Sequence, residues 1–171
     1  MNEIFSFVGC FTRDLRGPIV RINNKMTACM YRDILSEHML PFAQDRLVDD
    51  FLFQQDNDPK HTSILMLGGL RRVNAGRGKL RFKIVRGFFN NNGIKLLKTP
   101  AYSPDLNPIE HMWAKIKQTL RGTRFQTHDQ LWKAVQDIWS KIPIDYMIKL
   151  VASMPHRINA VIRAKGWHTK Y

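Results

Sequence analysis

The chain has 171 residues, of which 44% are apolar and 24% charged, so it can fold as one domain around a core, and intrinsic disorder is excluded. No apolar run approaches the roughly 18 residues of a membrane span, and Cys10 and Cys29 are too few and too scattered for a disulfide scaffold or a paired-cysteine metal site. The net charge of +13 favours a polyanionic partner, nucleic acid before a membrane surface.

The first half of the chain is predicted to form a hairpin, a helix and a short strand. Phe5–Phe11 is apolar and aromatic, and Pro18–Asn23 alternates apolar and polar residues, which is typical of two strands joined by a turn. Thr27 begins a predicted helix whose apolar residues recur every three to four positions, and Pro41 ends or kinks it. Phe51–Gln55 is a predicted short strand.

The second half is predicted to be mainly helical. Ser63–Leu67 starts as a helix that two glycines interrupt, and Gly93 is a left-handed residue at the end of a further helix. A short strand and three amphipathic helices follow, at Ile94–Leu97, Asn107–Leu120, Thr127–Lys141 and Ile144–Lys165. This order indicates an α/β fold with a parallel component in its sheet, in which ligand sites lie at the carboxyl ends of strands.

Asp56 is the first candidate site residue, because it follows the strand Phe51–Gln55 directly. Carboxylate oxygens are the ligands that Mg²⁺ prefers, and paired carboxylates can hold the two cations of a phosphoryl-transfer site. The alternative is purely structural, since Asp-Asn-Asp-Pro is good turn chemistry. Asp58 fits that turn role better than Asp56.

Glu110 is the second candidate, in the first turn of the helix Asn107–Leu120. Its alternative role is also structural. A capping box is formed by an Asn at the N-cap and a Glu three positions later, and here Pro108 stands at the first helical position between them. The two roles can coexist, since a first-turn glutamate is exposed at the end of the helix. Convergence of Asp56 and Glu110 on a metal would mark a functional site.

Further candidates carry weaker signals. Asn57, Lys60 and His61 follow Asp56 and could support a ligand or contact phosphate, although a solvated loop histidine explains His61 equally well. Segment 68–86 is rich in glycine and holds seven cations and no acid, which makes it a candidate DNA-binding patch. Its cations are Arg71, Arg72, Arg77, Lys79, Arg81, Lys83 and Arg86.

Two motifs, Gln54–Ser63 and Ser103–Trp113, closely resemble the catalytic core of mariner-type DNA transposases, a family with an Asp-Asp-Glu triad. Val8–Phe11, Tyr31–Leu35, Asn92–Ile94 and Ser153–Tyr171 extend the resemblance in the family's order. The resemblance implies a ribonuclease-H-like mixed sheet flanked by helices, with its first strand missing, and a helical C-terminal extension over residues 123–171.

The same resemblance implies the chemistry. Asp56 and Glu110 become the second and third acids of the triad, binding two Mg²⁺ or Mn²⁺ ions. The implied reaction is hydrolytic nicking at transposon ends followed by attack of the freed 3′-hydroxyl on target DNA. The implied partners are those two DNAs and a possible second copy of the chain. The implied location is the nucleus, with no membrane partner.

We expect the strand bearing the first acid and the family's helix-turn-helix region to be absent from this chain. Asp14 falls in the hairpin turn and Asp33 within a helix, so neither can replace a strand aspartate. We therefore expect impaired catalysis by this chain alone. The rival interpretation is a non-catalytic, sequence-indifferent DNA-binding protein derived from a transposable element.

Segment 68–86 is predicted to be an insertion relative to the family. Between Asp56 and Glu110 lie 53 residues, and the resemblance implies a spacing shorter by about the length of this segment. One interpretation is an exposed basic loop that binds DNA. The other, which we favour, is non-homologous sequence such as a translated intron, because joining Leu67 to Phe88 restores a helical pattern.

Overall fold

A computed structural model describes residues 5–23, 25–47, 50–55, 76–100, 103–167 and 169, with 76–83 as backbone only. The chain forms two compact units, the first made of Met1–Asn23 with Pro104–Tyr171 and the second of Asn24–Ser103. In the described ranges, no helix is long and apolar enough to cross a membrane.

The second unit holds α1 (Ala28–Ile34), a π-helical turn (Leu35–Met39), α2 (Leu40–Arg46), β3 (Leu52–Phe53), α3 (Gly76–Asn91) and β4 (Lys95–Leu96). The first unit holds β1 (Ser6–Phe11), β2 (Arg16–Ile22), a 3₁₀ helix (Pro104–Leu106), α4 (Ile109–Leu120), α5 (His128–Lys141), α6 (Ile144–Ala152) and α7 (Met154–Arg163).

The predicted hairpin is confirmed. Strands β1 and β2 pair antiparallel, with Val8 opposite Val20 and an irregularity in register between Gly9 and Phe11. The connecting turn is closed by Thr12, whose backbone N–H donates to the Leu15 carbonyl at 2.8 Å. A two-stranded ribbon is marginally stable alone, so its apolar face needs a partner.

Helices α4, α5 and α6 supply that partner and form the core of the first unit. Met112, Val135 and Met147 are fully buried, one on each helix. Trp139 stacks on Trp113 with ring centroids 5.4 Å apart, and its indole N–H donates to the Gly17 carbonyl of β2 at 3.0 Å. The hydrogen bond satisfies a buried indole donor and ties α5 to the hairpin.

Threonine side chains cap two of the helices, α1 and α5. The hydroxyl of Thr27 accepts from the Met30 backbone N–H at 3.2 Å, and that of Thr127 accepts from the Gln130 N–H at 3.2 Å. Each side chain thereby satisfies one backbone donor that the first helical turn leaves without an intrahelical partner. Thr127 is therefore a cap of α5 and not its first residue.

Two predicted helices differ from those in the structure. Pro41 is predicted to end or kink the helix that begins after Thr27; the chain stays helical past it, with the π-helical turn before it and Pro41 in the first turn of α2. The single helix predicted over Ile144–Lys165 is instead α6 and α7, which meet at Ser153. Pro155 lies in the first turn of α7, where a missing backbone N–H costs no intrahelical bond.

The second unit contains the predicted parallel pairing. Strands β3 and β4 pair parallel, with Phe53 opposite Leu96, and both are shorter than predicted. The Phe53 ring packs against that of Phe89, a fully buried residue of α3, at 5.3 Å between centroids. Gly93 follows α3 with φ of 66°, which confirms the predicted left-handed residue.

Helix α3 begins at Gly76, inside the Gly/Arg-rich segment 68–86, and continues to Asn91 as one helix. The second half of that segment is therefore helical in backbone. Residues 68–75 lie outside the described residues, as do Ser63–Leu67, so the predicted insertion and the interrupted helix stay predictions.

Candidate active site

Glu110 is exposed in the first turn of α4. Asn107 starts this turn: its side-chain Oδ1 accepts from the Ile109 N–H at 3.4 Å, and its carbonyl accepts from the Glu110 N–H at 3.1 Å. Pro108 already has helical dihedral angles (φ −64°, ψ −20°), as expected of a proline at the first helical position. The Asn107 side chain therefore binds the Ile109 N–H and not the Glu110 N–H that the predicted capping box requires, and Glu110 lies in the first turn of the helix.

Arg157 of α7 lies next to this turn and is 4% exposed. Its Nε donates to the Ser153 hydroxyl at 2.8 Å, and its Nη1 donates to the Asp105 carbonyl at 3.3 Å. Nη1 also contacts His111 Nε2, which must be unprotonated to accept that bond. The guanidinium thus binds the chain on both sides of Glu110.

Two more contacts hold the same segment. The Tyr146 hydroxyl of α6 donates to the His111 carbonyl at 3.3 Å, and the Thr169 hydroxyl donates to the Asp105 carboxylate at 3.2 Å. Burial lowers the pKa of His111, and the neighbouring Arg157 charge lowers it further. Burial raises the pKa of Tyr146, so this phenol stays a donor at neutral pH.

Asp56, Asn57, Lys60 and His61 lie outside the described residues, and so do Arg71 and Arg72. The strand before Asp56 is present as β3, and Gln55, the last described residue there, accepts from the Tyr31 hydroxyl at 3.1 Å. Within the described ranges, no group of three or more His, Cys, Asp or Glu side chains could hold a metal. The pairing of Asp56 with Glu110 therefore stays a prediction.

The remaining candidates of the basic patch lie on α3. Arg77, Lys79, Arg81 and Lys83 belong to its backbone-only part, and Arg86 is exposed. Sequence reasoning did not single out Arg157 or the supporting contact of His111. No local pattern signals Arg157, because its partners Asp105 and His111 lie 52 and 46 residues away in the chain.

The chain is similar to a group of known proteins. A family model described as DDE superfamily endonuclease matches residues 77–132, which include part of segment 68–86. The chain is 39% identical over 163 residues to the Tc1 transposase of Caenorhabditis elegans, covering 95% of this chain and 53% of the relative. The Tcb2 transposase of Caenorhabditis briggsae is 38% identical over 163 residues, with the same coverage. These matches support a DDE-type transposase domain of the Tc1/mariner family.

Solved structures give the fold of this transposase domain. It matches the Mos1 transposase catalytic domain, solved with Raltegravir and Mg, with a TM-score of 0.77 at 18% identity, covering 97% of this chain and 77% of that one. It matches the Mos1 mariner paired end complex with Mn at 0.79 and 17% identity, covering 97% and 45%. The predicted ribonuclease-H-like α/β fold class is confirmed. The domain spans about half the length of the curated relatives.

Proposed function

We propose that this transposase domain supplies part of the catalytic site for metal-dependent cleavage and strand transfer of DNA, with Asp56 and Glu110 as ligands of Mg²⁺ or Mn²⁺. The observation that carries the proposal is the exposed Glu110 at the start of a helix, with the buried Arg157 contacting Asp105 before it and His111 after it. Its oxygen atoms suit hard divalent cations. The relatives are transposases, and solved Mos1 structures contain Mg or Mn.

When bound, the metal ions would neutralise charge on the reacting phosphate and activate the attacking oxygen. Glu110 would hold its carboxylate oxygens at the helix end, and Asp56, three residues after the last residue of β3, would supply its own. Asn57, Lys60 and His61 would support the ligands or contact the DNA backbone. Positioning of the phosphate, more than covalent chemistry, is what this type of site has to provide.

The charge of the domain supports DNA as the partner. Between Glu110 and Asp129 the chain has no acid, and its cations there are exposed: Lys115, Lys117, Arg121 and Arg124. Lysine and arginine bind phosphates without regard to sequence, so this surface would add salt-dependent affinity. Mos1 has been solved in complexes with transposon-end DNA, and we propose the same class of partner here, with target DNA and dimer formation as further proposals.

Manganese binding tests the metal site directly. The Mn²⁺ affinity of the domain is measured by electron paramagnetic resonance titration for the wild type, Asp56→Asn and Glu110→Gln. We expect each substitution to weaken binding by about 10-fold or more, because each removes a charged oxygen ligand. Glu37→Gln is the matched control, since Glu37 is an exposed glutamate of the second unit, and it should leave the affinity unchanged.

Unchanged Mn²⁺ affinity in both site variants would reject the metal site. The rival function, non-catalytic DNA binding, is favoured by the exposed cations of residues 115–124. It predicts binding to unrelated DNA duplexes that weakens steeply with salt and persists in Asp56→Asn and Glu110→Gln. Metal binding lost in the variants, with nicking of supercoiled DNA lost in parallel, would support the catalytic proposal instead.

A further inference from the structure

Arg157 is a buried cation on α7 that contacts two other elements of the first unit. Its guanidinium donates to the carbonyl of Asp105 in the 3₁₀ helix and contacts the His111 ring in α4. Its Nε bond to the Ser153 hydroxyl, at 2.8 Å, fixes the side chain against the start of its own helix. Only arginine has the planar fork of donors that reaches several acceptors in different directions at once.

The two remote contacts bracket Glu110. Asp105 lies five residues before it and His111 one residue after it. Tyr146 and Thr169 reinforce the same two points, the first through the His111 carbonyl and the second through the Asp105 carboxylate. The segment that presents Glu110 is therefore held at both ends by residues of the C-terminal part of the chain.

Burying a charged guanidinium is costly, and an apolar side chain in the same space often stabilises a fold at least as well. General stability is therefore a poor explanation for an arginine here. A metal ligand, in contrast, works only when its oxygen atoms are held within about 0.5 Å of the productive position. The geometry of Arg157 meets that need, because its guanidinium holds the Asp105 carbonyl before the ligand and the His111 ring after it.

We propose that Arg157 is a positioning residue for Glu110, which fixes the turn from Asp105 to His111 so that the carboxylate is preorganised to bind metal. This inference rests on the proposed function, in which Glu110 is a metal ligand. Arg157 acts through the backbone of that turn and touches neither metal nor DNA. The C-terminal helix thereby becomes part of the site, although it contributes no ligand.

The test compares Arg157→Met with Arg163→Met, which removes an exposed cation from the same helix. Amide hydrogen exchange, read by mass spectrometry, is followed in peptides covering residues 104–113 and in peptides of α5. We expect exchange in 104–113 to accelerate by about 10-fold or more in Arg157→Met, because charged hydrogen bonds are lost, while α5 stays protected. Arg163→Met should match the wild type in both regions.

Mn²⁺ affinity supplies a readout that a purely structural role would not change. Measured below the unfolding range, it should fall by about 10-fold in Arg157→Met and recover in part in Arg157→Lys, which restores one donor. Equal acceleration of exchange in 104–113 and α5, with unchanged Mn²⁺ affinity, would overturn the proposal. If Glu110→Gln leaves Mn²⁺ binding unchanged, the proposed metal site fails, and the exchange measurement alone decides whether Arg157 fixes the turn.

Ser153→Ala keeps the test decisive if Arg157→Met does not fold. This variant retains the guanidinium and removes the acceptor of its Nε. We expect exchange in residues 104–113 to rise by about 3-fold or more, because the side chain loses one of its fixed contacts. Wild-type exchange in that segment would contradict a positioning role for Arg157.

Discussion

Replacement of Gly17 by alanine should destabilise the first unit by forcing apart the two strands of the hairpin. A Cβ atom at this position would lie 2.5 Å from the sulfur of Cys10 and 2.8 Å from the Cys10 carbonyl oxygen. The sulfur could turn away, but the carbonyl belongs to β1, so relief requires movement of the backbone. Overpacking costs about 1–3 kcal/mol, and the lost freedom of glycine in the unfolded chain offsets about 0.4–1 kcal/mol of it. We expect a net loss of about 1–2 kcal/mol.

Urea denaturation followed by tryptophan fluorescence measures this loss in the first unit alone. All four tryptophans of the chain lie in that unit, at positions 113, 132, 139 and 167. With a urea dependence of about 1–3 kcal/mol per molar, the midpoint should fall by about 0.3–2 M. A midpoint within about 0.2 M of the wild type would refute the packing argument.

Gly87 provides a matched glycine-to-alanine control with the opposite expected sign. It lies within α3, and among the described residues no heavy atom outside its own helix backbone lies within 4 Å of an added Cβ. Alanine should stabilise the helix by about 0.5–1 kcal/mol, because glycine is a poor helix former. Circular dichroism is the readout, since the second unit contains no tryptophan. A loss of stability in Gly87→Ala would show that helix propensity does not decide the effect of this substitution.

Two further predictions concern thiols and a left-handed residue. Cys29 is exposed, whereas burial raises the pKa of Cys10 to about 12. Ellman's reagent at pH 8 should therefore react with one thiol in the native protein and with two in denaturant. Reaction of two thiols in the native protein would contradict the burial of Cys10. Because unfolding returns the Cys10 pKa to about 9.0, this thiol should make the native protein less stable as pH rises from about 9 to 12. Gly93→Ala should lower the free energy of unfolding by about 1–2 kcal/mol, measured by circular dichroism, because φ is 66° at this position. Gly93→Asn should lower it less. Equal stability of the two variants and the wild type would refute this prediction.

The sequence predicted those elements that depend on interactions between residues close together in the chain. The hairpin, the start of α5 near Thr127 and the left-handed Gly93 each depend on residues within a few positions. Helix boundaries near prolines were harder to predict, because a proline in the first turn of one helix gives the same sequence signal as a proline that ends the preceding helix. Ser153 with Pro155 marks a helix start, whereas at Pro41 a π-helical turn precedes the proline and the helix continues.

The candidate site shows the same division between local and distant causes. Glu110 was identified from a short motif in which Asn107 and the acid lie three positions apart. Arg157 could not be identified, because an isolated arginine on an amphipathic helix ordinarily points to solvent. Its burial depends on the packing of α7 against the 3₁₀ helix, which the sequence near Arg157 does not encode.

The interleaved order of the two units has a consequence for synthesis on the ribosome. Gly17 accepts its hydrogen bond from Trp139, which is made 122 residues later. At about 5–20 residues per second, the hairpin emerges about 6–24 seconds before this partner exists. During that time the aromatic face of Phe7 and Phe11 has no helices to cover it, whereas Asn24–Ser103 is contiguous and can be completed first. We therefore expect nascent chains that end before α5 to depend on chaperones, and full-length chains to be released from them.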